Sequence, residues 1–354
     1  LSVKKILQNK QLVDTKTAQN YQQEFMQISY ALGDANDHQA WADLYKKLTF
    51  WELEIDSTEN KSMLEVLENQ KAEANASFSR FVKDNYLDWM KDGNPDKPLM
   101  SHQVMKERVF PVLRSKKPLF FIVIDNLRLD QWEEIESLIS PYFHVEEKST
   151  YYSILPTTTA FARNALFSGM MPADMARLYP KFWEDEDSEE GKNNFEEDWI
   201  RVNLEKNRLP VKFSYHKIIQ TQQGKTVVDQ FHTMLQNDLN VLVYNFVDMV
   251  SHARTDMKMI RELAPDESAY RSLTKSWFEH SSLFDLMKKI HHAGGDVIVT
   301  TDHGTKKVNK PYRIIGDKNV TTNLRYKQGK NLNFEPGKVF EIRRPEDAKL
   351  PRLN

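Results

Sequence analysis

Residues 120–126 read FFIVIDN, and with Leu119 in front they form an apolar run that stops abruptly at Asp125 and Asn126. Six apolar residues without alternation describe a strand covered on both faces, which is the habit of parallel sheets inside α/β domains. The same design recurs downstream. VLVYNFVDMVSH contains Asp248 and His252, and VIVTTDHG contains Asp302 and His303. Between these runs the pattern switches to helical periodicity, with helices expected over 130–139, after Thr159, over 225–235 and within 268–291. Further strand segments are expected at 143–154, 211–215, 241–247 and 297–301. Alternation of this kind argues for a doubly wound α/β domain with a mainly parallel sheet.

The part before it is different. Apolar residues at spacings of three and four (Tyr21, Phe25, Ile28; Trp41, Leu44, Tyr45, Leu48, Trp51) predict helices over 15–32 and 37–54. Asp34–Asp37 (DAND) is a polar turn with good N-cap residues. A long helix opens at Ser57 and runs through Leu64, Leu67, Ala74, Phe78, Phe81, Val82 and Trp89, ended by Asp92-Gly93-Asn94-Pro95. Three helices with one apolar stripe each make an antiparallel bundle, and nothing in it carries chemistry. A short connecting helix over 102–113 and the Ser115-Lys116-Lys117-Pro118 boundary place a helical part at 1–115 and an α/β part at 116–354.

Composition narrows the function. The chain has 354 residues, 40% hydrophobic and 28% charged, with a net charge of −2. That leaves room for a substantial core and provides no global basic field for nucleic acid or anionic membrane. The absence of cysteine excludes disulfides, thiolate ligands and cysteine nucleophiles, and suits a reducing cytoplasm. No apolar run approaches the roughly 20 residues of a membrane span. The chain opens on Leu1 rather than Met and ends at LPRLN without a closing element, as expected of a fragment of a longer protein.

In an open α/β sheet, ligands bind beyond the carboxyl ends of the strands. Asp125, Asp248 and Asp302 each follow an apolar strand run, so all three carboxylates are expected on one rim. Helix capping could explain Asp125, but Asp302 is followed by His-Gly, a poor helix start. Three such aspartates, two with histidines nearby, favour metal ligation over independent capping. Oxygen and nitrogen ligands without sulfur suit Zn²⁺, with Mn²⁺ as a substitute. Residues 155–172, LPTTTAFARNALFSGMMP, place three threonines where a strand segment turns into a helix. Backbone N–H groups and the helix dipole favour an anion there. A threonine hydroxyl could attack phosphorus if two ions about 4 Å apart held the phosphate. Arg163, four residues after Thr159, could reach that phosphate or form an ordinary surface ion pair. Lys306, Lys307, Arg325, Lys327 and Lys330, with Tyr326 among them, could track an oligonucleotide backbone or form a solvated loop. Residues 183–194 read as an acidic surface insertion.

These four stretches resemble the alkaline phosphatase superfamily, and specifically its PglZ domains. PTTTAFARNALFSGMMP is similar to the nucleophile segment of the nucleotide pyrophosphatase/phosphodiesterase branch, with Pro-Thr-x-Thr in front and Ser/Thr-Gly-x-x-Pro behind. The resemblance implies an alkaline-phosphatase-like fold, Thr159 as nucleophile and two divalent ions. One ion would be held by Asp125, Thr159, Asp302 and His303. The other would be held by Asp248, His252 and a third histidine, which the family takes from a His-Gly-Gly segment near its C-terminus. No histidine follows His303, so the second ion is expected to be weak; His280 is a poor substitute, and His291 and His292 suit a helix C-terminus. The bundle joined to this domain resembles PorX-type response regulators of the type IX secretion system, in which a receiver domain stands in front. That resemblance implies a cytoplasmic effector acting on oligonucleotides or cyclic oligonucleotides. It also implies dimerisation on activation and contacts with an alternative sigma factor and the cytoplasmic part of a secretion-motor protein. The competing readings are a phosphomonoesterase, and a nucleotide-binding or partner-docking module with little turnover.

Overall fold

The computed structural model describes residues 2–58, 60–183, 193–308, 310–317, 320–321 and 323–352, of which 2–9, 11 and 12 are described by backbone alone. Most of the expected acidic insertion, 184–192, lies outside the described residues. The chain divides into two compact units, Leu1–Pro98 and Leu99–Asn354.

The first unit holds α1 (Ser2–Asp34), α2 (His38–Asp56) and α3 (Lys61–Trp89), each in contact with the other two. Asp37 caps α2 by accepting from the N–H groups of Gln39 and Ala40, as the DAND turn suggests. Asn60 rather than Ser57 caps α3, and Ser57 closes α2. The core is Tyr21, Ile28, Leu32, Trp41, Leu44, Leu48, Trp51, Ile55, Leu67 and Ala74. Gln70 is buried within it and fully used: it accepts from the Tyr21 hydroxyl at 3.1 Å and donates to Phe25 O at 3.0 Å and Ser29 Oγ at 3.2 Å.

The second unit is built on β1 (Leu119–Ile124), completely buried as its unbroken apolar run requires. Then follow α4 (Leu129–Ile139), α5 (Asn164–Ser168), α6 (Pro172–Leu178), α7 (Glu196–Lys206), β2 (Phe213–Ile218), α8 (Thr221–Asp229), α9 (Phe231–Met234) and β3 (Leu239–Tyr244). The remainder is α10 (Phe246–Asp256), α11 (Lys258–Leu263), α12 (Glu267–Glu279), α13 (Ser282–Ala293) and β4 (Asp296–Thr300). The sheet order is β2-β3-β1-β4 and every pairing is parallel, with Ile124 opposite Tyr244 and Val123 opposite Thr300. Strand side chains alternate between two cores. Phe120, Ile122 and Ile124 meet residues of α4, α8, α12 and α13, whereas Leu119, Phe121 and Val123 meet residues of α5, α6 and α7. Helices on both faces of a parallel sheet make this a doubly wound α/β unit.

Three further sequence expectations change. Residues 101–115 are helical as expected but in three short pieces, Ser101–Gln103 and Val112–Ser115 as 3₁₀ turns and Met105–Val109 as a π-helical turn, and Val104, Met105, Val109 and Phe110 share a core with Leu119 and Phe121, so this connector belongs with the α/β unit. Residues 143–154 are not a strand. Tyr152 makes a single bridge to Met100, Ile154 N–H donates to Ser101 Oγ at 3.1 Å, and the segment crosses the loop after β4 instead of joining the sheet. Finally, β3 stops at Tyr244, which places Asp248 in the first turn of α10.

Candidate active site

Because all four strands run parallel, the segments leaving β1, β3 and β4 emerge on one rim. Asp125 directly follows β1, and its side chain is 1% exposed. Asn126 comes next in a left-handed conformation (φ 61°), which turns its N–H towards Asp302 Oδ1 at 3.3 Å. Asparagine tolerates that region better than most residues. Its side-chain amide donates to Asp248 Oδ1 at 3.0 Å. One residue thereby links all three aspartate segments.

The loop after β4 is held in place by hydroxyls. Thr301 Oγ1 accepts from Leu127 N–H at 3.0 Å and donates to His303 O at 2.8 Å. Ser153 Oγ donates to Asp302 O at 3.1 Å, and the Tyr151 hydroxyl donates to Thr301 O. Asp302 Oδ1 also accepts from the N–H of His303 at 2.9 Å. This irregular loop allows two adjacent residues, Asp302 and His303, to face one point. Ligand atoms of Asp125, Asp302 and His303 all lie within 4.8 Å of one another, and all three residues are buried.

Thr159 begins a π-helical turn, Thr159–Arg163, that continues into α5. Insertions of this kind recur at functional sites. Thr159 Oγ1 is 2.9 Å from His303 Nε2, so the hydroxyl borders the acid cluster.

Arg163 is turned into the fold rather than outward. It is 1% exposed, with Nη1 2.6 Å from Asp125 Oδ2 and Nε 2.6 Å from Glu196 Oε1. The spacing from Thr159 does bring it to the site, but Asp125 and Glu196 engage its charge from inside the fold. Glu196, in the first turn of α7, is equally buried and accepts from the Tyr215 hydroxyl. No motif marked Glu196 or Tyr215, because only the meeting of α7, β2 and the Thr159 helix gives them a role.

Asp248 and His252 face each other across one turn of α10, Oδ2 to Nε2 3.5 Å, with the imidazole largely exposed. Arg325 reaches the site from the C-terminal basic stretch: Nη1 donates to Gly304 O at 2.7 Å and Thr157 O at 2.9 Å, tying the loop after β4 to the segment that leads into Thr159. Tyr326 packs edge-on to Phe161, with centroids 5.9 Å apart. Lys327 Nζ donates to Thr321 O of its own loop at 2.8 Å, which uses one of its N–H groups. His280 caps the end of α12 and bonds Ser276 O, away from the acid cluster, and His291 and His292 lie in the last turn of α13.

The electrostatics of the cluster call for a cation. Burial pushes the Asp125 carboxyl up, opposed by the charge of Arg163; burial and then the charge of Asp125 push Asp248 up. Asp125 Oδ1 and Asp302 Oδ2 are buried without a hydrogen-bond partner. Two orphaned carboxylate oxygens beside an imidazole nitrogen fit a divalent ion with oxygen and nitrogen ligands.

The family model of the BREX system PglZ alkaline phosphatase-like domain matches residues 104–349. This chain belongs to that family. The model of the PorX response regulator linker domain matches residues 11–90, the helical bundle. No curated protein matches the chain. The PglZ domain therefore occupies nearly all of the α/β unit; its superfamily generally uses divalent metals, and Asp125, Asp302 and His303 form a group that could hold one. No helix among the described residues is long and apolar enough to cross a membrane.

Proposed function

We propose that this chain is a metal-dependent phosphodiesterase with Thr159 as its nucleophile, acting as the effector part of a two-component response regulator. The observation that carries the reading is the 2.9 Å approach of Thr159 Oγ1 to His303 Nε2, beside the buried Asp125/Asp302/His303 group. A binding module has no need of a hydroxyl at that point. Asp125, Thr159, Asp302 and His303 would hold one divalent ion, Zn²⁺ being suited to these donors, and Asp248 and His252 would hold the second. When bound, such ions supply Lewis acidity and offset the charge of the phosphate.

The chain itself aims and anchors. The helix opening at Thr159 directs Oγ1 at phosphorus; a Thr159 Oγ–P bond forms as the P–O bond to the leaving group breaks, and the hydroxyl proton ends on the departing oxygen. Water then cleaves the phosphothreonine. Arg325, anchored to Thr157 and Gly304, would hold a non-bridging phosphate oxygen with its remaining N–H groups. Oligonucleotides or cyclic oligonucleotides are the proposed substrates. The PorX response regulator linker supports the regulator role; in this reading the chain is a cytoplasmic regulator of type IX secretion that dimerises on activation and contacts a sigma factor and a secretion-motor protein. Initial rates on bis- and mono-(p-nitrophenyl) phosphate test the reaction class. The diester should turn over faster, and only with Thr159 present; faster monoester cleavage, or turnover surviving Thr159→Ala, rejects the reading.

A further inference from the structure

The guanidinium of Arg163 touches carboxylates from three separate segments while remaining 1% exposed. Nη1 is 2.6 Å from Asp125 Oδ2 and 3.6 Å from Asp302 Oδ2, and Nε is 2.6 Å from Glu196 Oε1. Behind it, Glu196 is fixed by the Tyr215 hydroxyl and by Lys217 Nζ at 3.4 Å. The bond to Oδ2 uses one oxygen of Asp125 and leaves Oδ1, on the His303 side, without a donor: His303 Nε2 is 3.5 Å away.

We propose that Arg163 is a positioning residue for the cation site, fixing the rotation of the Asp125 carboxylate so that Oδ1 alone faces the ion, with Glu196 holding the guanidinium in register. The inference rests on the metal-dependent reading above. Its physical basis is the guanidinium's shape and charge. Arginine stays protonated and its planar fork can satisfy two carboxylates at once, so it neutralises part of the cluster and sets its geometry. A lysine keeps the charge but cannot span Asp125 and Glu196 in the same way. Groups that orient metal ligands commonly account for about 10- to 100-fold in metal affinity.

The test is Zn²⁺ affinity by calorimetric competition with a chelator, on the full chain and its Arg163→Lys and Glu196→Gln variants. Thermal melts by circular dichroism check that each is folded. Arg163→Lys is expected to bind Zn²⁺ about 10- to 100-fold more weakly, and Glu196→Gln to weaken in the same direction by less. Diester hydrolysis by Arg163→Lys should recover as Zn²⁺ is raised, with KM unchanged at saturation, a rescue that a purely structural ion pair would not show. If Arg163→Lys fails to fold, the affinity of Glu196→Gln decides. Folded variants that bind Zn²⁺ as tightly as the unaltered chain, or activity that excess Zn²⁺ does not restore, overturn this inference alone. An unaltered chain that binds no Zn²⁺ overturns it together with the proposed function.

Discussion

Thr159 Oγ1 and His303 Nε2 are 2.9 Å apart although 144 positions separate them in the chain. Removing the hydroxyl should abolish covalent chemistry and leave the fold intact, since Thr159 is only half-buried. Thr159→Ala is expected to lower kcat by at least about 10³-fold with an unchanged melting temperature. Steady-state kinetics and a thermal melt check both halves.

A cation bound to the folded chain adds stability by mass action, about 2.7 kcal/mol at 100 times its Kd. Zn²⁺ should therefore raise the melting temperature by several degrees, and a chelator should reverse it. Asp302→Asn should eliminate most of this rise, because Asp302 Oδ2 is one of the orphaned oxygens. His252→Ala should remove a smaller part, since His252 is exposed and shares its position with Asp248 alone. Equal losses in the two variants would contradict the ranking of the sites.

Arg325 and Lys327 lie two residues apart and should behave differently. Hydrogen bonds to charged groups are worth about 1.5–3 kcal/mol, so Arg325→Ala should reduce kcat/KM on diesters by about tenfold or more. Lys327→Ala should leave it within about twofold, because that ammonium serves its own loop. Comparing the two variants on bis-(p-nitrophenyl) phosphate checks the contrast.

Beside the site, Arg128 binds Asp130 at 2.6 Å and also Glu267, and Arg271 reaches Asp130 at 3.0 Å. Burial alone would raise the Asp130 carboxyl, but hydrogen bonds and charge from Arg128, then Arg271, hold it below its usual range; Glu267 is lowered in the same way, chiefly by Arg128. A carboxyl depressed in the folded state stabilises fully above its unfolded value of about 4 and loses that contribution as pH falls through the folded value. Asp130→Asn should thus melt lower than the unaltered chain near neutral pH, and the gap should narrow as pH falls below about 4. A constant gap across that range would contradict the assignment.

Gly169 ends α5 at φ 62°, and a Cβ there would stand 2.6 Å from Asn203 Oδ1. Asn203 is buried and bonds Phe167 O at 2.9 Å, so it has little room to move. Gly169→Ala combines left-handed strain with overpacking and should destabilise the domain by about 1–3 kcal/mol. Denaturant unfolding would measure this directly.

Much of the architecture was legible in local patterns. Leu119–Ile124 read as a strand buried on both faces and is one. Once the sheet is parallel, Asp125 and Asp302 emerge on the same rim without further information, and the stripes of α1, α2 and α3 predicted the bundle. Burial period is written into neighbouring residues, so the chain by itself determined these features. Tertiary structure alone decided the rest. Tyr151 and Tyr152 have strand-forming side chains, yet the Tyr151 hydroxyl bonds the loop after β4 and Tyr152 bridges Met100. Arg163 carries the same charge whether it meets phosphate or Asp125 and Glu196, and its partners come from 38 residues before it and 33 after it. Hydrophobic periodicity is a property of adjacent positions, whereas the fate of a buried charge depends on which distant group arrives to compensate it.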